Sequence, residues 1–316
     1  MLGTSIKNGS IAGLKTTWSL GKVIFPITMI VVMLQHTPIL PWIIEKISPF
    51  MGLFGLSGDA AIPLVLGNFL NLYAAIGGIL SLDLTVKEVF IVAVMLSFCH
   101  NLLIESSVAA KVGVKIWVIL TVRIGLAVVS AIVINLVWNG GGELAQYGMM
   151  PPQGADPESW GQIILLAFEK AGYGILQLAL IVIPLMIALQ ILKDKKWLAA
   201  FSNWMSPFTK AMGMNANTST TMAAGLLIGL AYGAGVMIQA VKEDGVSRKD
   251  VTLAFIFLVA CHAVVEDTLI FVPLGIPVLP LLVIRLVTAV LLTLTVAFIW
   301  RRAEATKAKG KEATTI

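Results

Sequence analysis

The stretch Cys99-His100-Asn101-Leu102-Leu103-Ile104-Glu105 returns as Cys261-His262-Ala263-Val264-Val265-Glu266-Asp267; together the two hold both cysteines and two of the three histidines in a 316-residue chain. The copies lie 162 residues apart, each deep in an apolar run, and each is followed at the same distance by a glycine (Gly113, Gly275) and an arginine (Arg123, Arg285). Duplication is the simplest cause.

Working outward, the correspondence extends over most of the chain. Pro184 stands 158 residues after Pro26, Ser206-Pro207-Phe208 stands 158 after Ser48-Pro49-Phe50, and Gly213 and Gly225 stand 158 after Gly55 and Gly67. Lys242-Glu243-Asp244-Gly245 adds four residues after the second hairpin and moves the offset to 162. The chain divides into a first repeat with its N-terminal segment (1–138), a loop (139–160), a second repeat (161–302) and a basic tail (303–316).

Composition sets the class. With 58% hydrophobic and 12% charged residues and a mean hydropathy of +0.93, too little polar side chain is present to cover a soluble globule of this length. The chain reads as an integral membrane protein. Its net charge of +5 comes from loops and a Lys/Arg tail, so no nucleic-acid partner is expected, and the two cysteines, each inside its own helix, are not a disulfide framework. Lys7, Lys15 and Lys22 precede the first long apolar run without a small-residue cleavage site, so no removable signal is expected.

Residues 23–44, 86–110, 114–138, a run ending at Leu192, 250–272 and 276–300 are apolar enough to cross a bilayer, which needs about 20 residues of helix. Residues 45–56 and 197–213 are short and broken, and read as interfacial helices. The segments from Gly58 to Leu80 and from 216 to 241 carry so many Gly, Pro and Asn breakers that two half-helices are expected in each, a re-entrant hairpin. Asp59, opening the first, is expected to be a helix N-cap. The resulting expectation is an all-α polytopic membrane protein, an inverted repeat of three transmembrane helices plus one re-entrant hairpin each.

Charge fits that topology. With the N-terminus cytoplasmic, Lys111, Lys115, Lys193, Lys195, Lys196, Lys210, Lys242, Arg248, Lys249, Arg301 and Arg302 lie inside, while the outer segments hold Lys46, Lys87 and the acidic 139–160 loop with Pro151-Pro152. This is the asymmetry of the positive-inside rule, and both termini are expected in the cytoplasm of a cell with this protein in its inner membrane. Inverted repeats with broken hairpins mark secondary transporters that bind near the midplane.

The duplicated Cys-His motif, the Ser-Pro-Phe interfacial helices and the Gly-broken hairpins resemble the Gate, or nucleoside-recognition, domain. That domain occurs in spore maturation proteins A and B and in the membrane part of ferrous-iron transport protein B; the resemblance covers most of residues 10–300, as two copies. It implies a fold similar to the concentrative nucleoside transporters, with two hairpins and two unwound helices around the substrate. No Gly-x-x-x-x-Gly-Lys-Ser/Thr stretch is present, so the iron transporter's GTP-binding domain is not expected.

Buried charges need partners. Glu105 and Arg123 flank Gly113, as Asp267 and Arg285 flank Gly275, which places the members of each pair at similar depth on helices joined there. These pairs are either structural ion pairs or groups that handle substrate and protons. His100 and His262 beside carboxylates suit proton transfer near neutral pH. Hairpin residues Asn68, Asn71, Thr220 and Gly229 would offer amides, hydroxyls and helix ends to a polar solute. Candidate substrate residues are therefore Asn68, Asn71, His100, Asn101, Glu105, Thr220, Gly229, His262, Glu266 and Asp267, with Gly233 and Gly235 completing the second turn.

The expected activity is secondary transport of a small polar or anionic organic solute, nucleoside-like or a carboxylate, coupled to protons or sodium. No cofactor is expected, and the partners are solute, coupling ion and lipid, with a homo-oligomer compatible. Two alternatives remain. A divalent-metal permease would use Cys99, His100, Cys261 and His262 as soft ligands; a structural membrane module would carry nothing. An enzyme is not expected, because no Gly-x-Ser-x-Gly, His-Glu-x-x-His or Asp-rich metal motif appears.

Overall fold

The computed structural model describes residues 2–148, 157, 159–195, 197–231 and 233–313. The described residues form helices α1 (Leu2–Gln35), α2 (Ile39–Gly52), α3 (Ala61–Phe69), α4 (Leu72–Leu80), α5 (Val86–Phe98), α6 (Leu102–Lys111) and α7 (Ile116–Val137). The same series then returns as α8 (Trp160–Asp194), α9 (Trp197–Ala211), α10 (Ser219–Ile228), α11 (Ala234–Glu243), α12 (Arg248–Ala260), α13 (Glu266–Leu269) and α14 (Val278–Ala313). Among the described residues there is no strand. Of the expected external loop, 149–156 and 158 lie outside the described residues, as do Lys196 and the last three residues of the tail.

Among the described residues, five segments are long and apolar enough to cross a membrane: Leu2–Gln35, Val86–Lys111, Ile116–Val137, Trp160–Leu192 and Val278–Thr306. The protein is an all-α, multi-pass membrane protein. In the most apolar window of Val86–Lys111, 78% of residues are buried, against 22–25% for the other four. Helices α1, α7, α8 and α14 thus present apolar side chains outward, as lipid-facing helices do, while the motif segment is enclosed.

Two expectations about spans change. The first span begins earlier, because α1 runs unbroken from Leu2. The motif spans 86–110 and 250–272 are each two helices: α5 stops at Phe98 and α6 starts at Leu102, α12 stops at Ala260 and α13 starts at Glu266. The interruption falls at equivalent residues, with Asn101 at φ +47° and Ala263 at φ +42°. No Gly or Pro stands at either break to announce it. The two hairpins do form as half-helices, α3 with α4 and α10 with α11. Asp59 is no N-cap; it lies in a short 3-10 turn (Gly58–Ala60) with no capping bond, and burial, with Glu88 and Asp83 nearby, holds its carboxyl above the usual range.

Two compact units partition the chain, and they cut across the sequence copies. The first comprises 1–103, 123–195 and 265–282; the second comprises 104–122, 196–264 and 283–316. In the first, α1 and α8 pack along their length. A Cβ at Gly9 would lie 2.5 Å from the Cα of Ile187, and one at Gly13 would lie 2.8 Å from the Cα of Ile183. Small residues four apart let the two backbones approach, a packing mode that suits lipid, where burial of apolar surface drives nothing. The contacts descend along α8 as they ascend along α1, through Gly21 with Ile175 to the edge-on rings of Phe25 and Phe168. The two equivalent helices therefore run antiparallel.

The same caps begin both motif helices. Thr85 and Glu88 form a reciprocal capping box at α5, and the Ser247 hydroxyl accepts the Asp250 N–H at 3.1 Å at α12. Each satisfies amides that a helix start leaves open.

Candidate functional site

In the first unit, α5 ends at Phe98 and is capped by Cys99, the chain turns through His100 and Asn101, and the Asn101 N–H donates to Gly67 O of the hairpin at 2.7 Å. In the second, α12 ends at Ala260 and is capped by Cys261, and the Ala263 N–H donates to Gly225 O at 3.0 Å. Residues 67 and 225, like 101 and 263, are equivalent positions in the two copies. A hairpin carbonyl thus holds each left-handed residue, a conformation that costs an alanine roughly 1–2 kcal/mol and needs such support.

The arginines serve these breaks. Arg123, fully buried on α7, donates from Nε to Phe98 O at 3.0 Å and from a terminal nitrogen to His100 O. Arg285, fully buried on α14, donates to His262 O at 2.7 Å. A half-helix ending inside the protein leaves carbonyls without intrahelical partners and a negative dipole end, and a guanidinium answers both. Among the contacts of these four charges, Arg123 and Arg285 reach backbone carbonyls and Glu105 lies beside His262.

The histidines lie near acids from the other copy. In the second unit His262 Nε2 lies 3.3 Å from Glu105 Oε1, with both side chains at least 96% buried. In the first unit, ligand atoms of His100 and Asp267 lie within 4.8 Å of each other. Both imidazoles are held alike, His100 Nδ1 against Leu96 O at 2.7 Å and His262 Nδ1 against Leu258 O at 2.8 Å. A carbonyl only accepts, so Nδ1 carries a proton in each ring. His262 Nε2 and Glu105 Oε1 therefore face each other with no carbonyl between them.

The units differ at Tyr73 and Glu266. In the first, Tyr73 on α4 donates its hydroxyl to Glu266 Oε1, and Glu266 and Asp267 are both buried. The equivalents in the second unit are Ala231 and Ile104, the latter 55% exposed. Sequence reasoning passed over Tyr73; the available signal was a phenol in one hairpin where the other has alanine.

The remaining candidates have internal partners. Asn68 donates to Leu64 O at 2.8 Å and accepts the Cys99 thiol at 2.9 Å. Asn71 caps α4, its side chain accepting from the Ala74 N–H at 2.9 Å. Thr220 shares its hydroxyl with Ser202 of α9 at 3.2 Å. Cys99 and Cys261 are buried and form no disulfide. Gly229 ends α10 at φ +89°, where a Cβ would lie 3.0 Å from the Cβ of Ala263; any side chain there strains the hairpin as well as filling space. Gly233 precedes α11, whereas Gly235 lies within it.

The family profile described as Gate, nucleoside recognition, matches residues 17–115 and 175–287, so two copies are present. The chain is 68% identical over 305 residues to a Bacillus subtilis (strain 168) protein described as uncharacterized membrane protein YvoD, covering 96% of this chain and 97% of that one. No solved structure matches.

Proposed function

The chain belongs to the Gate (nucleoside recognition) family, and from that premise we propose a proton-coupled secondary transporter for a small polar organic solute, acting without enzymatic chemistry. The observation that carries the proposal is the His262–Glu105 contact, an enclosed imidazole and carboxylate at a helix break in a membrane protein. Such groups are expensive in a bilayer and mark ion or substrate pathways. A proton held by the pair can leave to either side when the contact opens, which is what coupling to a proton gradient requires.

The other unit supports solute recognition. Glu266 and Asp267 are adjacent buried carboxylates beside Tyr73 and His100. Two acids repel an anion and accept from hydroxyl and amino groups, so within the expected range the uncharged, hydroxyl-bearing solute, nucleoside-like, is favoured over the carboxylate.

In vesicles reconstituted with the protein, a nucleoside should accumulate when the outside is acidified, and dissipating the gradient with an ionophore should abolish the excess. His262→Gln should leave uptake nearly independent of pH, because glutamine holds no transferable proton. Uptake equal in empty vesicles, or a variant with the parent's pH profile, refutes the assignment.

Topologically we read an inverted repeat with both termini on the cytoplasmic side of the inner membrane. The antiparallel course of α1 and α8, equivalent helices of the two copies, supports the inversion, and the Lys/Arg asymmetry supports the orientation. In intact cells expressing a Cys-free parent, a cysteine at position 142 should react with an impermeant maleimide and one at position 242 should not. The reverse pattern, or equal labelling, overturns the orientation.

Divalent-metal permeation is the second reading, favoured by the His100 and Asp267 ligand atoms within 4.8 Å, a spacing that one ion can bridge. Zinc or ferrous iron entering protein-containing vesicles faster than empty ones, with no nucleoside uptake, would select it.

A further inference from the structure

The second unit carries a feature that transport does not use. Lys111 ends α6, Lys242 lies in the last turn of α11 and Arg248 opens α12, and the three line one open cleft of about 360 Å³. Its floor is apolar, made by Ile238, Val241 and Val251. Val112, Val246 and Gly113 complete the lining; Gly113 is at φ +89°, and the Arg248 guanidinium lies 4.0 Å from where its Cβ would be.

Placement identifies the occupant. The cleft sits where the crossing segment Val86–Lys111 ends, which is the depth of lipid headgroups, and each of its three cations is exposed. Basic pockets among helix ends at a membrane surface suit anionic headgroups, with roughly fivefold in binding from each Lys or Arg. The apolar floor suits the glycerol and first methylenes of the same molecule, and the volume falls in the range of small-ligand sites. We propose that this cleft binds the phosphodiester of an anionic phospholipid, one molecule per chain.

Native mass spectrometry of the full chain in a mild detergent, with added phosphatidylglycerol or phosphatidylcholine, tests it. One phosphatidylglycerol should stay bound and phosphatidylcholine should not. The triple variant Lys111→Gln, Lys242→Gln, Arg248→Gln should lose on the order of a hundredfold in affinity, whereas Lys7→Gln, Lys15→Gln, Lys22→Gln, which removes the same charge elsewhere, should retain the lipid. Lys242→Glu alone, at an exposed helix end, keeps the test valid should the triple variant fold poorly, and a melting curve of each variant reports its fold. Retention by the cleft variants, or equal loss in both triples, refutes the site. Displacement of the lipid by millimolar inorganic phosphate would overturn the lipid and make the cleft a site for free phosphate.

Discussion

Replacing His262 with leucine is expected to destabilise the detergent-solubilised protein by roughly 3–5 kcal/mol, and replacing Glu105 with leucine as well should recover most of that loss. Glu105 and His262 are enclosed at 3.3 Å, and taking the imidazole away removes a polar contact from a buried carboxylate, which water does not replace there. Removing both leaves an apolar contact in the place of a polar one. A double-mutant cycle from melting in a fixed detergent measures the coupling. Additive losses would show that the two groups do not depend on each other, and would also remove the proton site on which the transport reading rests.

Arg123→Met and Arg285→Met should each cost a comparable amount, and Arg→Lys at either place should recover less than half of it. The two guanidiniums are fully buried against carbonyls at the ends of broken helices. An ammonium keeps the charge but lacks the planar fork that lets Arg123 reach Phe98 O and His100 O together. Yield of monodisperse protein and melting temperature report the result. Lysine variants as stable as the parent would mean that charge at the helix end is sufficient and the two-carbonyl grip contributes little.

Much of this protein was legible in order along the chain. The duplication is written in spacings, the membrane class in composition, and the hairpins in their Gly, Asn and Pro breakers, because these signals are local and survive without a partner. The buried charges were legible too, since Glu105, Arg123, Asp267 and Arg285 stand in runs where any charge is costly.

The carbonyls that the arginines hold, and the histidine beside Glu105, were not. A charge's depth follows from its position on a helix, but its neighbour depends on which helices pack together, and here 104–122 of the first copy joins the second unit while 265–282 of the second copy joins the first. His262 consequently meets Glu105 of the other copy, and Tyr73 meets Glu266, residues 193 apart in sequence. The breaks at Asn101 and Ala263 were equally silent, since neither is a glycine and an alanine ordinarily prolongs a helix. Sequence alone determined that the chain is a duplicated membrane protein with polar groups in its motif segments. The tertiary structure decided where those segments unwind, because hairpin carbonyls such as those of Gly67 and Gly225, with two buried arginines, make the broken backbone cheaper than a continuous helix.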